Sequence, residues 1–220
     1  MIKLVIFDAN KVLYDIGPMF AYFSEAQSKF LEKHGIKDIE NASKLWGGLG
    51  KATMLGKMLM KDAHREYLSR LGLPEGLLDE YRAIDKKAFE KAVLTDPDAR
   101  EALSKLKKSD CKIAVLSDSG RSAVEMDEMF RHIGLSDMFD KIFVSSEIGH
   151  KKPDKEAYEE VLRFFNARPE EAVFVGHESD ELDGAKALGM KAISYKGDPS
   201  DFVVQSLLEI PGIVERLNTG

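Results

Sequence analysis

A short apolar segment near the start of the chain ends in a single carboxylate. Residues 3–7 are mostly apolar and β-favouring, and Asp8 follows them. The segment is too short to indicate a helix and suits a strand buried on both faces of a parallel sheet. Ligands of open α/β sheets bind beyond the carboxyl ends of the strands, so Asp8 would lie in the binding crevice. There it can attack an electrophile or simply end the strand, and this segment alone leaves both readings open.

The chain from about residue 18 to 92 has the pattern of helices. Apolar residues recur at helical spacing in two sets, one beginning at Met19 and the other at Leu55. The Gly-rich stretch Trp46-Gly47-Gly48-Leu49-Gly50-Lys51 predicts a flexible interruption between them, and residues 73–76 predict a turn or helix start. We therefore expect an all-helical segment in this part of the chain.

From residue 95 onward, strand-like segments alternate with helical ones. Residues 95–98 predict a helix N-terminus, and a helix follows over residues 99–107. The predicted strands are 112–116, 141–144, 172–175 and 191–194, and the predicted helices between them are 122–133, 155–165 and 180–188. This alternation predicts parallel βαβ units and, with the first strand, a sheet of at least five strands.

These elements predict an α/β protein with a Rossmann-like, three-layer αβα core and an all-helical domain inserted after the first strand. The core would comprise residues 1–15 and 95–220, and residues 16–94 would form the helical domain. Because the insertion leaves the sheet at the carboxyl end of the first strand, it could act as a lid over the site.

Composition limits the classes of partner. The net charge of −6 gives no reason to expect nucleic-acid binding. Cys111 is the only cysteine, which excludes an internal disulfide and fits a reducing compartment. No apolar run approaches the roughly 20 residues of a membrane span, and Asp8 interrupts the only signal-like segment. We expect a cytoplasmic protein with a small anionic substrate and no membrane or nucleic-acid partner; the oligomeric state stays open.

Polar residues follow four of the predicted strands. A hydroxyl beside Gly-rich backbone, as at Ser117, can hold an anionic oxygen. Lys152 at a helix start can neutralise phosphate or carboxylate. Acids after Val175 suit a hard cation. The four groups are Asp8 with Asn10, Ser117-Asp118-Ser119-Gly120, Gly149-His150-Lys151-Lys152-Pro153, and Gly176-His177-Glu178-Ser179-Asp180-Glu181-Leu182-Asp183-Gly184. Each alone has an ordinary structural explanation, but their order and shared sheet edge indicate a site.

Together these stretches resemble the haloacid dehalogenase-like hydrolase superfamily over the whole chain. The resemblance rests on Phe7-Asp8-Ala9-Asn10, Val115-Leu116-Ser117, Ser145 to Pro153, and Val175-Gly176 with Asp183-Gly184-Ala185 and Gly189-Met190. It implies that Asp8 is the nucleophile, that Ser117 binds the transferred group and that Lys152 steadies the charge. It also implies Mg²⁺ held by Asp8, by the backbone carbonyl of Asn10 and by the fourth loop, where His177 and Glu181 are the candidates. The helical insertion resembles the family's cap domain, and Asp118 and Lys51 are further candidate substrate contacts.

Two positions depart from the phosphatase pattern of that family. Asn10 stands where a second Asp usually acts as acid and base, and an amide cannot exchange a proton near neutral pH. His177 stands where an Asp usually helps to bind metal, and imidazole is a poor replacement for oxygen around Mg²⁺. Glu178, Asp180 or Glu181 could supply the carboxylate instead, and His177 could carry the proton.

Three functions remain open on the sequence. The first is a Mg²⁺-dependent phosphatase of a small phosphorylated metabolite, acting through an aspartyl intermediate at Asp8, with catalytic residues Asp8, Asn10, Ser117 and Lys152. The second is a metal-independent 2-haloacid dehalogenase, since halide leaves without protonation. The third is a catalytically degenerate relative that binds a ligand or a partner.

Overall fold

The computed structural model describes residues 1–219, which form eight strands and ten α-helices. The strands are β1 (Leu4–Phe7), β2 (Tyr14–Asp15), β3 (Val93–Leu94), β4 (Lys112–Ser117), β5 (Lys141–Val144), β6 (Ala172–Gly176), β7 (Lys191–Tyr195) and β8 (Phe202–Val204). The helices are α1 (Gly17–Lys33), α2 (Ile39–Met54), α3 (Met60–Arg70), α4 (Leu78–Phe89), α5 (Ala99–Lys108), α6 (Ala123–His132), α7 (Ser145–Ile148), α8 (Lys155–Phe165), α9 (Ser179–Ala187) and α10 (Ile210–Thr219).

Six parallel strands form the central sheet in the order β5-β4-β1-β6-β7-β8. Strand β1 lies in the middle, with Val5 opposite Ile113 of β4 and Val173 of β6. All four residues of β1 are buried. Because successive side chains point to opposite faces, Val5 and Phe7 enter one apolar core and Leu4 and Ile6 the other.

Helices cover both faces of this sheet. The core that contains Val5 also contains Leu103 of α5, Phe130 of α6 and Ile213 of α10. The opposite core contains Tyr158 of α8 and Leu182 of α9. The predicted three-layer α/β architecture is therefore confirmed.

Helices α1 to α4 form a bundle with its own apolar core, and we call residues 16–94 the helical insertion. Its core is rich in aromatic rings, including Phe30, Tyr67 and Tyr81. The side-chain amide of Gln27 donates to the Tyr81 hydroxyl at 2.6 Å, so this buried polar pair is satisfied. The chain enters the insertion through β2 and leaves through β3, and these two strands pair antiparallel. The exact domain boundaries at residues 15 and 95 stay a prediction.

The predicted interruption at residues 46–51 is wrong, because this stretch lies inside α2. The Asp38 side chain caps the helix by accepting from the Asn41 backbone N–H at 3.0 Å. Ala42, Leu49 and Thr53 are buried on one side of the helix. Their burial offsets the cost of the glycines, about 1 kcal/mol each. The break comes later, at residues 55–59.

Most other sequence predictions are confirmed. A 3₁₀ turn at Glu75–Leu77 starts α4, and α5 follows residues 95–98 as expected. The predicted strands and helices of the core match β4 to β7 and α6, α8 and α9 within a residue or two. The short strands β2, β3 and β8 and helices α7 and α10 were not predicted. Among residues 1–219, no helix combines the length and apolar character needed to cross a bilayer.

Candidate active site

The predicted polar residues meet at the carboxyl edge of the sheet. Asp8 directly follows β1, Ser117 ends β4, and His177 directly follows β6. Lys152 comes from the connection between α7 and α8. All four line one cavity of about 400 Å³ between the sheet edge and the helical insertion. The central geometric prediction from the sequence, that one carboxylate, one hydroxyl and one ammonium share a pocket, agrees with this arrangement.

A buried lysine joins two carboxylates at the base of the cavity. Lys152 Nζ donates to Asp8 Oδ1 and, at 3.1 Å, to Glu181 Oε2. The Lys152 side chain is only 1% exposed. Burial lowers the pKa of Lys152, but Asp8 and Glu181 outweigh it and hold that pKa well above the usual value. Burial likewise works against ionisation of Asp8, but Lys152 and His177 lower the net pKa of Asp8. Asp8 is therefore an ionised carboxylate.

Glu181 titrates near neutrality. Burial raises its pKa to about 7, the Lys152 ammonium opposes that rise, and the Asp8 charge adds to it. Of the acids in the fourth loop, Glu181 reaches Lys152, whereas Asp180 and Asp183 are exposed. The sequence left open which acid faces the site. Glu178 and Glu181 both line the cavity, and of the two Glu181 contacts Lys152.

His177 lies against the nucleophile candidate. Its Nδ1 is 3.2 Å from Asp8 Oδ2, and its Nε2 is 3.2 Å from Glu178 Oε1. The Asp8 carboxylate raises the pKa of His177 above its usual value, although burial opposes this. Each oxygen of Asp8 thus faces a nitrogen, Oδ1 that of Lys152 and Oδ2 that of His177.

The loop after β4 links the lysine to the helical insertion. Asp118 Oδ1 accepts from the Lys152 backbone N–H at 3.1 Å. Burial raises the pKa of Asp118, while the Lys152 charge opposes the rise. The Ser119 N–H donates to Ser145 Oγ at 3.0 Å, and Ser145 Oγ donates to the Met54 carbonyl at 2.6 Å. One set of hydrogen bonds therefore connects the base of the cavity to α2.

The helical insertion supplies the opposite wall. Its cavity-lining residues are largely apolar and comprise Ile16, Met19, Phe20, Phe23, Trp46, Gly50, Thr53, Met54, Met60, Asp85, Ala88 and Phe89.

Two charged residues that line the cavity were missed by sequence reasoning, Asp85 in the wall of the insertion and Arg121 after β4. Arg121 donates to Asp85 Oδ1 at 2.7 Å, and its guanidinium lies 4.2 Å from the centre of the Phe89 ring. Arg121 follows directly after Gly120 of the predicted anion-binding loop, which is a signal that could have found it. Lys51, the predicted substrate contact, is exposed on α2 and does not line the cavity. The structure thus does not support that contact.

The predicted magnesium ligands do not form a cluster that fits the ion. Within residues 1–219, no three or more His, Cys, Asp or Glu side chains are grouped to hold a metal. Lys152 occupies the space between Asp8 and Glu181, and His177 offers nitrogen where Mg²⁺ prefers oxygen. The Asn10 Oδ1 atom is buried without a partner among these residues. We therefore derive no catalytic step through Mg²⁺.

Comparison with known families identifies the family of this chain. The family model of the haloacid dehalogenase-like hydrolases matches residues 5–195, which is most of the chain. The chain belongs to this family. The resemblance found in the sequence is thereby confirmed. The role of Asp8 as nucleophile stays a prediction.

Two of the similar proteins are named as phosphatases of different phosphorylated compounds. A glyceraldehyde 3-phosphate phosphatase of Pyrococcus furiosus is 29% identical over 134 residues, 56% of this chain and 55% of that protein. The match thus spans little more than half of that relative's length. A phosphorylated carbohydrates phosphatase of Thermotoga maritima is 26% identical over 195 residues, 87% of this chain and 83% of that protein.

A solved structure supports the fold. The 2-haloacid dehalogenase of Pseudomonas syringae superposes with a TM-score of 0.79 at 23% identity, over 98% of this chain and 99% of that one. At this level of identity the likeness concerns the fold alone.

Proposed function

We propose that this protein hydrolyses a small phosphate monoester through a covalent intermediate on Asp8. The observation that carries the proposal is the meeting of Asp8, Ser117 and Lys152 at the base of one cavity. The names of the Pyrococcus and Thermotoga relatives support a phosphorylated sugar or similar small metabolite as the substrate class. The cavity of about 400 Å³ suits a ligand of that size.

In the first step, a carboxylate oxygen of Asp8 attacks phosphorus. The new O–P bond forms as the bond to the leaving alkoxide breaks. The Ser117 hydroxyl and the backbone of the following loop hold the phosphoryl oxygens, and Lys152 balances the charge. The Asn10 amide does not transfer a proton near neutral pH. We therefore assign protonation of the leaving oxygen to His177, which lies beside Asp8 and has a raised pKa.

In the second step, water attacks the phosphorus of the aspartyl phosphate. The O–P bond to Asp8 breaks, which releases inorganic phosphate and restores the carboxylate. His177, left neutral by the first step, accepts the proton of the attacking water and returns to its starting state. Each group thus ends the cycle as it began.

The proposal is tested by phosphate release from a panel of phosphorylated sugars and other small phosphate esters. Each assay is run with added Mg²⁺ and again with EDTA. We expect release by the wild-type protein and none by Asp8→Asn, with unchanged circular dichroism for the variant. Equal release by both proteins would refute the role of Asp8, and release that requires Mg²⁺ would restore the metal-dependent mechanism expected from the sequence.

A metal-independent 2-haloacid dehalogenase is the second candidate. Two observations favour it. Neither Asn10 nor His177 supplies a carboxylate, and the cavity wall above Asp8 is largely apolar. Asp8 would then attack carbon and displace halide, with no proton needed by the leaving group. Halide release from 2-haloacids, without phosphate release from the ester panel, would favour this function. A folded protein that releases neither product would indicate a non-catalytic, ligand-binding relative.

A further inference from the structure

Both oxygens of Asp8 already face nitrogen-bearing side chains. Lys152 Nζ donates to Oδ1, and His177 Nδ1 lies 3.2 Å from Oδ2. The Asp8 side chain is only 6% exposed. A cation that approached Asp8 would therefore have to displace one of these two groups.

The other nearby carboxylate is engaged by the same lysine. Glu181 Oε2 lies 3.1 Å from Lys152 Nζ, and the Glu181 side chain is 10% exposed. Asn10 contributes an amide rather than a third carboxylate. Because Mg²⁺ keeps an octahedral shell of oxygen ligands and gives up its waters reluctantly, this set of groups is a poor site for it.

The backbone at His177 is held firmly in place. The His177 carbonyl accepts from the Asp198 N–H at 3.0 Å. A Cβ atom added at Gly197 would lie 2.1 Å from that same carbonyl oxygen, so the two segments are in close contact. Two residues after His177, the Ser179 N–H donates to Asp198 Oδ2 at 2.9 Å, so Asp198 holds the backbone on this side as well. These contacts hold the backbone from which the imidazole extends toward Asp8.

From this geometry we infer that the site works without a bound divalent cation, and that His177 together with Lys152 takes the place of the metal beside Asp8. The inference rests on the proposed function only in that it concerns the same site, because occupancy by metal can be measured without turnover. Besides the proton transfers proposed above, His177 then balances the charge of Asp8 and positions it for attack.

Metal binding tests this directly, with Mn²⁺ as the probe for Mg²⁺. The free Mn²⁺ signal in electron paramagnetic resonance is followed as wild-type protein, His177→Asp, His177→Asn and the double variant Asn10→Asp/His177→Asp are added. We expect no loss of free signal with wild type or His177→Asn. His177→Asp and the double variant, which add carboxylates, should bind Mn²⁺ at least about tenfold more tightly than wild type.

The outcomes separate this inference from the proposed function. Wild-type protein that binds Mn²⁺ as tightly as His177→Asp would overturn the inference, as would an equal gain in His177→Asn and His177→Asp. Wild-type phosphate release that EDTA abolishes and Mg²⁺ restores would also overturn it. Activity that survives EDTA supports it. Absence of phosphate release would count against the proposed function and leave the Mn²⁺ result standing.

Discussion

Arg121 and Asp85 form an ion pair across the cavity, with 2.7 Å between guanidinium nitrogen and carboxylate oxygen. Arg121 follows the loop after β4, whereas Asp85 lies in α4 of the helical insertion. Their side chains are 12% and 11% exposed, so the pair is largely shielded from solvent. His64 Nε2 lies 3.4 Å from the second oxygen of Asp85. The pair therefore joins the insertion to the sheet edge beside the proposed nucleophile.

Replacing Asp85 by Asn should destabilise this junction. The change keeps the shape of the side chain but leaves Arg121 without its counter-charge in a shielded position. We expect a loss of about 3 kcal/mol in the free energy of unfolding and a raised KM. Urea unfolding and steady-state phosphate release measure the two effects.

The matched control is Glu66→Gln, which breaks the pair with Arg70 on the surface of α3. Those two side chains are 40% and 54% exposed, so a loss below about 0.5 kcal/mol is expected. Similar losses in the two variants would mean that Arg121 and Asp85 contribute no more than a surface pair.

The Asp85 carboxylate should also make the stability of the protein depend on pH in acid. Burial raises the pKa of Asp85, but His64 and Arg121 outweigh it and lower the pKa from 3.8 to about 2. A carboxyl with a lowered pKa in the folded state contributes stability that is fully present above the unfolded value and is lost as pH falls toward the folded one. The difference corresponds to about 2 kcal/mol in total, of which about 1 kcal/mol is lost by about pH 3.

Unfolding in urea near pH 6 and near pH 3 measures this contribution for wild type and Asp85→Asn. The variant lacks the titrating group, so its stability should fall by about 1 kcal/mol less over this interval. Equal falls in the two proteins would show that Asp85 has an ordinary pKa in the folded state.

Gly120 allows the helical insertion to approach the loop after β4. A Cβ atom at this position would lie 2.0 Å from Thr53 Oγ1 and 2.7 Å from Thr53 Cβ. The Thr53 hydroxyl donates to the Gly50 carbonyl at 2.7 Å, so it is not free to move aside. Gly120→Ala should therefore push α2 away from the cavity and lower kcat/KM by about a hundredfold.

Gly47→Ala is the control for this substitution. A Cβ at Gly47 in α2 meets nothing within 4 Å, so activity should be unchanged and stability should rise by up to about 1 kcal/mol. Wild-type kcat/KM in Gly120→Ala would mean that the insertion adjusts to the added methyl group at no cost.

The sheet was predictable because its signals are local. Strands such as β6 are short apolar runs between helices with a clear apolar face, and burial on both sides of a parallel sheet requires that pattern. The prediction of an interruption from Trp46 to Lys51 was wrong, because the burial of Leu49 and Thr53 outweighs the weak helix propensity of the glycines there. Strand β8 has only three residues, of which Val204 alone is buried, so it leaves little pattern to read.

The candidate site was predictable in part for the same reason. Asp8, Ser117 and His177 lie where strands end, and parallel strands bring their carboxyl ends to one edge. The pairing of Arg121 with Asp85 could not be predicted, because it depends on how the insertion sits on the core. No local pattern at Asp85 sets it apart from the other acids of the helical segment. Lys51 stands out in the sequence because it follows the glycines, but it lies outside the cavity.

Removing the Lys152 ammonium should affect two carboxylates at once, because it donates to both Asp8 and Glu181. Lys152→Met keeps the length of the side chain but leaves Asp8 and Glu181 buried without their shared cation. The pKa of Asp8 should rise, since burial then acts with less opposition, and turnover should fall by about a thousandfold. Steady-state phosphate release across pH measures both effects, and circular dichroism establishes that the variant is folded.

Lys151→Met is the control, because Lys151 is the exposed neighbour in the same loop and its loss should leave turnover unchanged. If the two variants lost activity to the same extent, the contribution of Lys152 would be general positive charge rather than its bond to Asp8.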